Sequence, residues 1–165
     1  TAGELKDQVL TTITNYNNTN LKKFDGVFRA SQVTTLVDAT NPSILNTIQR
    51  VFVQKRLTPV VGTAQKYVLE FSSPFSSNIA TVDAGTVNIS TGTVTLTNFN
   101  PDGGVVGSYA YITVTGTPSS NDLAPRRNQL LQIDLLQTVV TPQIDEIATG
   151  SVIAGIGYTT TANNS

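Results

Sequence analysis

Residues 87–96 read VNISTGTVTL, two β-branched runs on either side of Ser90-Thr91-Gly92. Valine, isoleucine and threonine favour strands, and a short connection containing glycine favours a tight hairpin. Gly92 is the residue that can adopt a positive φ without a steric penalty. The stretch therefore predicts two antiparallel strands joined at Gly92.

Other segments of the chain show the same period of two. Tyr67, Leu69 and Phe71 alternate with Lys66, Val68 and Glu70, which is typical of a strand with one buried face. Proline and glycine within Pro59–Thr63 predict the turn before that strand. Further strands are expected at Ile48–Leu57, Tyr109–Thr115 and Leu130–Leu135, with a loop at Pro118–Pro125.

Two segments instead have helical spacing. From Glu4 to Tyr16, the apolar residues Leu5, Val9, Leu10, Ile13 and Tyr16 recur every three or four positions, and the asparagine-rich run 15–20 predicts the helix end. A shorter helix is expected at Ser31–Val37, with Ser31 as N-cap and an end at Asn41-Pro42. Its inward residues would be Val33, Leu36 and Val37.

These elements predict the α+β class: a predominantly antiparallel, sandwich-like β domain with one N-terminal amphipathic helix and a short second helix. Residues 1–20 are interpreted as an N-terminal helical arm and residues 21–148 as a β-rich assembly domain. Residues 149–165 are rich in glycine, threonine, alanine and asparagine. Such a segment buries little, so we expect a flexible or partner-ordered tail.

Composition argues against most catalytic and binding functions. The chain has neither histidine nor cysteine, only 13% charged residues and a formal net charge of −1. Proton transfer near neutral pH, thiolate chemistry and zinc binding lack their usual side chains. Basic residues form no run longer than a pair, and no apolar stretch is long enough to span a membrane. We therefore expect no enzyme activity, cofactor, metal, nucleic acid, membrane or small-molecule substrate.

Two motifs that can carry chemistry are better explained as turns. Residues 98–103 resemble the start of a calcium-binding loop, but the position that requires an acidic ligand is Tyr109. The acidic residues that a glycoside hydrolase would need as a pair mostly stand beside glycine, proline or asparagine, which favours turns. They are Asp83, Asp102, Asp122, Asp134, Asp145 and Glu146.

Three ordered stretches resemble a known family. The first is KFDGVFR at 23–29, continuing to Asn41-Pro42; the second is KRLTP at 55–59. The third runs from Gly85 to Phe99 and continues with DLAPRRNQLLQID at 122–134. Together they are similar to the C-terminal part of the baseplate wedge subunit of T-even-type phages, an inner-ring protein related to the baseplate J-like family.

The resemblance implies a non-enzymatic part of a contractile phage tail. Such a subunit homodimerises and contacts other wedge proteins and hub or tube-proximal proteins, closing an inner ring around the tail tube. It lies in the virion and is assembled in the host cytoplasm. The residues that carry the family pattern are Phe24, Asp25, Phe28, Arg29, Asp38, Pro42, Arg56, Pro59, Gly92, Phe99, Asp122, Pro125, Arg127 and Asp134.

Interface candidates follow from separate physical arguments. A lone helix of this length is marginal in water, so its apolar stripe needs a partner, either the β domain or another chain. Arginine is enriched at protein contacts, which favours the Arg126-Arg127 pair. The candidates are Leu5, Val9, Ile13, Tyr16, Arg126 and Arg127.

A different class of function remains an alternative: a secreted or surface β-sandwich that binds carbohydrate or mediates adhesion. Threonine-, asparagine- and glycine-rich strands suggest it. Such sites usually contain clustered tryptophan or tyrosine or a calcium loop. This chain has no tryptophan, and its calcium-like loop lacks the final ligand.

Overall fold

The computed structural model describes residues 1–76, 85–100 and 111–144, and the strand residues 153–154 and 158–159. Two helices and antiparallel sheets confirm the α+β prediction. The helices are α1 (Ala2–Tyr16), a π-helix (Asn17–Leu21) and α2 (Ala30–Asp38). The strands are β1 (Phe28–Arg29), β2 (Val53–Leu57), β3 (Gln65–Glu70), β4 (Gly85–Asn88), β5 (Thr93–Phe99), β6 (Ile112–Gly116), β7 (Asp122–Leu123), β8 (Ile153–Ala154) and β9 (Tyr158–Thr159).

The first helix forms as its apolar stripe predicts. Thr1 is its N-cap, and the Thr1 hydroxyl accepts a hydrogen bond from the Glu4 N–H. The α-helix ends at Tyr16, as predicted. The asparagine-rich run that follows it is still helical, however, and forms the π-helix. Asn17 and Leu21 are both 1% exposed. Their burial holds this turn in place against the tendency of asparagine to end helices.

The second helix differs from prediction in its cap and in one inward residue. Arg29, and not Ser31, occupies the N-cap position, and its side chain makes no capping bond. The N–H of Ala30 instead bonds to Oδ1 of Asp122, 3.1 Å away. Val33 and Val37 are buried as predicted, whereas Leu36 is 40% exposed, because only one side of this short helix faces the core.

A three-stranded antiparallel sheet contains the predicted hairpin. Its order is β3-β5-β4, and Val87 pairs with Val94 across the hairpin. Gly92 has φ +65°, as predicted. A Cβ added at Gly92 would lie 2.0 Å from the backbone oxygen of Ser73, so both the φ and the close approach require glycine.

A separate two-stranded sheet pairs β2 with β6, from Val53 opposite Gly116 to Leu57 opposite Ile112. The strand expected at Ile48–Leu57 begins only at Val53, since β6 provides no partner beyond Gly116. The Pro59–Thr63 link does connect β2 to β3, but these strands belong to different sheets.

The prediction of a strand at Leu130–Leu135 is wrong: these residues form no strand, because no described strand pairs with them. The segment lies beside the helices, and the Ile133 N–H bonds to Oδ1 of Asn17 at 2.8 Å. Within the expected 118–125 loop, β7 pairs with β1. Of the predicted tail, β8 and β9 pair with each other, while its other residues lie outside the described part.

The core joins both helical elements to the sheets. Its most completely buried apolar side chains are Phe71 and Leu21, each 1% exposed. The buried set also includes Val9, Tyr16, Phe28, Ala30, Val33, Val37, Val53, Leu69, Val94, Leu96 and Leu123. No helix among the described residues is long and apolar enough to cross a membrane.

Candidate assembly surface

The predicted interface stripe of α1 packs largely on its own chain. Val9 and Tyr16 are 6% and 3% exposed, and Leu5 and Ile13 are half-buried. The Tyr16 ring meets the Phe28 ring edge-on, with centroids 6.1 Å apart. The Tyr16 hydroxyl accepts a bond from the Arg29 N–H at 3.1 Å. Of the four stripe residues, Leu5 and Ile13 retain surface that a partner can reach.

The two neighbouring arginines have different surroundings. Arg126 donates from Nε to the Phe71 carbonyl at 2.7 Å and from Nη2 to the Thr91 carbonyl at 2.8 Å. It also lies 3.7 Å from a Glu70 carboxylate oxygen. Arg127 is exposed, and no carboxylate in the described ranges forms an ion pair with it. Arg126 thus holds residues 124–144 against the hairpin, while Arg127 points to solvent. We call a side chain that joins this segment to another part of the chain by hydrogen bonds a fastener.

Asp134 is a second fastener of the same segment. Its Oδ2 accepts bonds from Gln54 at 2.5 Å and from Arg56 at 3.2 Å, joining the segment to β2. Its Oδ1 accepts a bond from the Leu136 N–H at 3.1 Å. The Arg56 guanidinium also lies 4.7 Å from the centre of the Tyr111 ring, a cation–π geometry. The Asn17–Ile133 bond is the third fastener.

Electrostatics at this junction shift one pKa. Burial lowers the pKa of Lys55, because desolvation disfavours its charged form. The positive charge of Arg126 acts in the same direction, and the Glu70 carboxylate opposes both.

Other residues of the family pattern have structural contacts. Asp122 caps α2 and lies 4.0 Å from Arg29, and Asp38 accepts a bond from the Thr47 hydroxyl at 2.6 Å. Phe99 packs edge-on against Tyr67. Asp25 adopts a positive φ of 60°. Phe24, which is 82% exposed, lies at the surface, as do Pro42 and Arg127, while Pro59 and Pro125 are half-buried.

A large apolar surface follows two segments that lack regular secondary structure. We call it the apolar ledge, and its exposed fractions run from 60% to 92%. Both segments line one groove together with α1. Large apolar side chains grouped on one surface mark a protein contact far more often than scattered ones do. The ledge consists of Leu45, Ile48, Phe52, Val139 and Ile144, which line the groove, and of Leu136, which lies in the same segment outside the groove lining.

Sequence reasoning missed the ledge. The predicted strand Ile48–Leu57 includes Ile48 and Phe52, and no element is predicted for residues 136–144. The signal that was available is the density of large apolar residues in segments with few turn formers. No sequence pattern shows that these segments lack a strand partner in their own chain.

Two of the acidic residues considered for hydrolase chemistry hold segments of the fold together. Asp122 and Asp134 are bound to the groups above, and Asp83, Asp102, Asp145 and Glu146 lie outside the described residues. Within those ranges, no group of three or more acidic residues is placed to hold a metal ion.

Comparison with known protein families gives a match over the first third of the chain. Residues 1–55 match the family described as baseplate structural protein gp6, C-terminal domain III. The matched region contains α1, the π-helix, β1, α2 and the start of β2. No curated protein matches the chain. The similarity of residues 1–55 supports a structural role in a phage baseplate, within the virion tail and in contact with other baseplate components.

Proposed function

We propose that the chain is a structural part of a baseplate wedge in a contractile phage tail. It homodimerises and contacts neighbouring wedge proteins and proteins near the tail tube, within an inner ring. It is assembled in the host cytoplasm and carries no catalytic, cofactor-binding or nucleic-acid-binding function. The match of residues 1–55 supports the baseplate location, and the apolar ledge supports the assembly role.

The ledge is the observation that carries the proposal. Burying one large apolar side chain contributes roughly 1.5–3 kcal/mol, so six contribute on the order of 10 kcal/mol. Association itself costs about 4–15 kcal/mol before other contacts are counted. The ledge therefore provides a major part of what assembly needs, with Leu136, Val139 and Ile144 assigned to the dimer contact and Leu45, Ile48 and Phe52 to a neighbouring wedge protein. Leu5 and Ile13, at the same groove, extend the apolar area, and Arg127 is available for a polar contact.

The ledge variants Leu136→Lys and Val139→Lys test the assembly role. These side chains are 92% and 83% exposed, so their replacement leaves the core intact. We expect the parent chain to be a dimer by light scattering and the double variant to be a monomer with an unchanged melting temperature. Gln143→Lys, an exposed polar position in the same segment, is the matched control and remains dimeric.

A density map of intact particles tests the location. The proposal expects this chain in a ring around the tail axis, in contact with its own copies and with other wedge proteins. A chain absent from that ring, or a double variant that still dimerises, would refute the corresponding part of the proposal.

A further inference from the structure

Residues 47–52 form an extended continuation of β2 that has no strand partner. Exposure alternates strictly from Thr47 to Val53: odd-numbered residues face the chain, and even-numbered residues face outward. Such alternation is the mark of strand geometry. The β2–β6 ladder begins only at Val53 opposite Gly116. We call residues 47–52 the strand extension.

The backbone of the strand extension is unpaired within the described part of the chain. No N–H or C=O of residues 48–52 makes a backbone hydrogen bond to another described residue. The inward side is anchored, because the Gln49 amide donates to the Ala30 carbonyl and to the Thr34 hydroxyl. A fixed extended backbone with open hydrogen-bonding groups is the starting point for the addition of a strand from another chain.

The outward face of the strand extension defines the chemistry of its partner. It presents Ile48, Arg50 and Phe52, with Ile48 88% and Phe52 60% exposed. Among the described residues, no carboxylate lies within ion-pair distance of Arg50. Directly opposite cross-strand pairs are stabilised by apolar contact or by opposite charge. The complementary strand therefore has an acidic residue opposite Arg50 and apolar residues opposite Ile48 and Phe52.

A second copy of this chain does not fit that requirement. Two strand extensions related by a two-fold axis can pair antiparallel with matching faces in two registers that each align five of the six residues. One register places Arg50 opposite Arg50, and the other places Arg50 opposite Ile48. Like charges directly opposite each other are destabilising, and neither register provides an anion. The partner is thus a different protein segment.

We propose that the strand extension binds an extended segment of another protein by strand addition, with an Asp or Glu opposite Arg50 between two apolar residues. This deepens the proposed assembly role and rests on it for the nature of the partner as a neighbouring structural protein. The strand extension lies within residues 1–55, which match the baseplate family.

Short peptides test the proposal on the full chain. The probe TVTETVT presents valine, glutamate and valine on one face, and TVTKTVT differs only in the central charge. We expect the glutamate peptide to bind about five- to tenfold more tightly, by fluorescence anisotropy, and less strongly in high salt. Amide NMR shifts should change at residues 47–52. N-methylation of the glutamate peptide at alternate amides should abolish binding.

A charge reversal provides the matched control. Arg50→Glu should invert the preference, so that the lysine peptide binds more tightly. Lys23→Glu, at another exposed position, makes the same change in net charge and should leave the preference unchanged. Absence of binding, equal affinity for both peptides, or NMR shifts outside the strand extension would overturn the proposal. Dimerisation that Ile48→Lys abolishes would assign this edge to a second copy instead.

The result is distinguishable from failure of the proposed function. Peptide binding with the expected charge preference, in a chain absent from the baseplate ring, would refute the baseplate location alone. A chain present in the ring but indifferent to both peptides would refute strand addition alone.

Discussion

Replacing Gly92 by alanine should destabilise the chain far more than the same replacement at Gly62. Both glycines have a positive φ, +65° and +77°. An alanine side chain in this region costs about 1–2 kcal/mol at either position. Alanine also lowers the conformational entropy of the unfolded chain, which stabilises the folded state by about 0.4–1 kcal/mol in both variants. The difference between the two variants therefore isolates the contact that the new methyl group makes.

That contact is severe only at Gly92. The added Cβ would lie 2.0 Å from the Ser73 oxygen, whereas at Gly62 no atom lies within 4 Å. The hairpin must shift by about 1 Å or more to restore normal carbon–oxygen separation. The shift strains the bond from Phe71 to the Gly92 carbonyl and the bond from Arg126 to the Thr91 carbonyl, both 2.8 Å. Each bond is worth about 0.5–1.5 kcal/mol.

We therefore expect Gly92→Ala to lose at least about 2 kcal/mol more than Gly62→Ala. Urea denaturation followed by far-ultraviolet circular dichroism measures both free energies of unfolding. A change in midpoint at constant slope identifies a change in stability. Equal losses for the two variants would refute the close approach of the hairpin turn to Ser73 and, with it, the placement of the Arg126 fastener.

Three further variants test the fasteners and the helix cap. Asn17→Ala leaves the Ile133 N–H without its acceptor and should lower the free energy of unfolding by about 1–3 kcal/mol in urea. Asp122→Ala removes the side-chain cap of α2 and should lower it by about 1 kcal/mol. Asp134→Ala should speed hydrogen exchange at the Leu136 amide by more than tenfold, without an equal increase in the β3-β5-β4 sheet.

The parts of the fold that sequence predicted well are those determined by neighbouring residues. The hairpin at Gly92 follows from β-branched runs and one glycine, and the alternation around Leu69 follows from a single strand with one buried face. The stripe of α1 was found for the same reason. In each case the signal lies within about fifteen residues, the range over which period and turn chemistry act.

Contacts between distant segments could not be predicted in this way. Asp122 caps a helix that begins at Ala30, 92 residues earlier in the chain. Residues 130–133 do alternate in exposure like a strand, as the pattern suggested, but strand formation also needs a partner backbone. Arg126 was considered for an interface because arginine favours contacts, and the structure uses its donors within the chain.

The fasteners and the assembly surface are physically related. The segment after Asp134 alternates in exposure from Gln137 to Gln143 without forming a strand ladder in the described chain, like the strand extension. Hydrogen bonds that Arg126 donates, and that Asn17 and Asp134 accept, fix the preceding residues 126–134, so the segment starts from a held position near the groove. A surface that is already ordered loses less conformational entropy when it binds.

This relation separates the role of Asp134 in assembly from its role in stability. If the fastener pre-orders the ledge, Asp134→Ala should weaken dimerisation even under conditions where the variant remains fully folded. The expected loss is about tenfold in the dimer dissociation constant, corresponding to about 1.4 kcal/mol of ordering free energy. Sedimentation at several concentrations measures it. An unchanged dissociation constant in a variant with faster exchange at the Leu136 amide would show that the ledge binds equally well without being ordered beforehand.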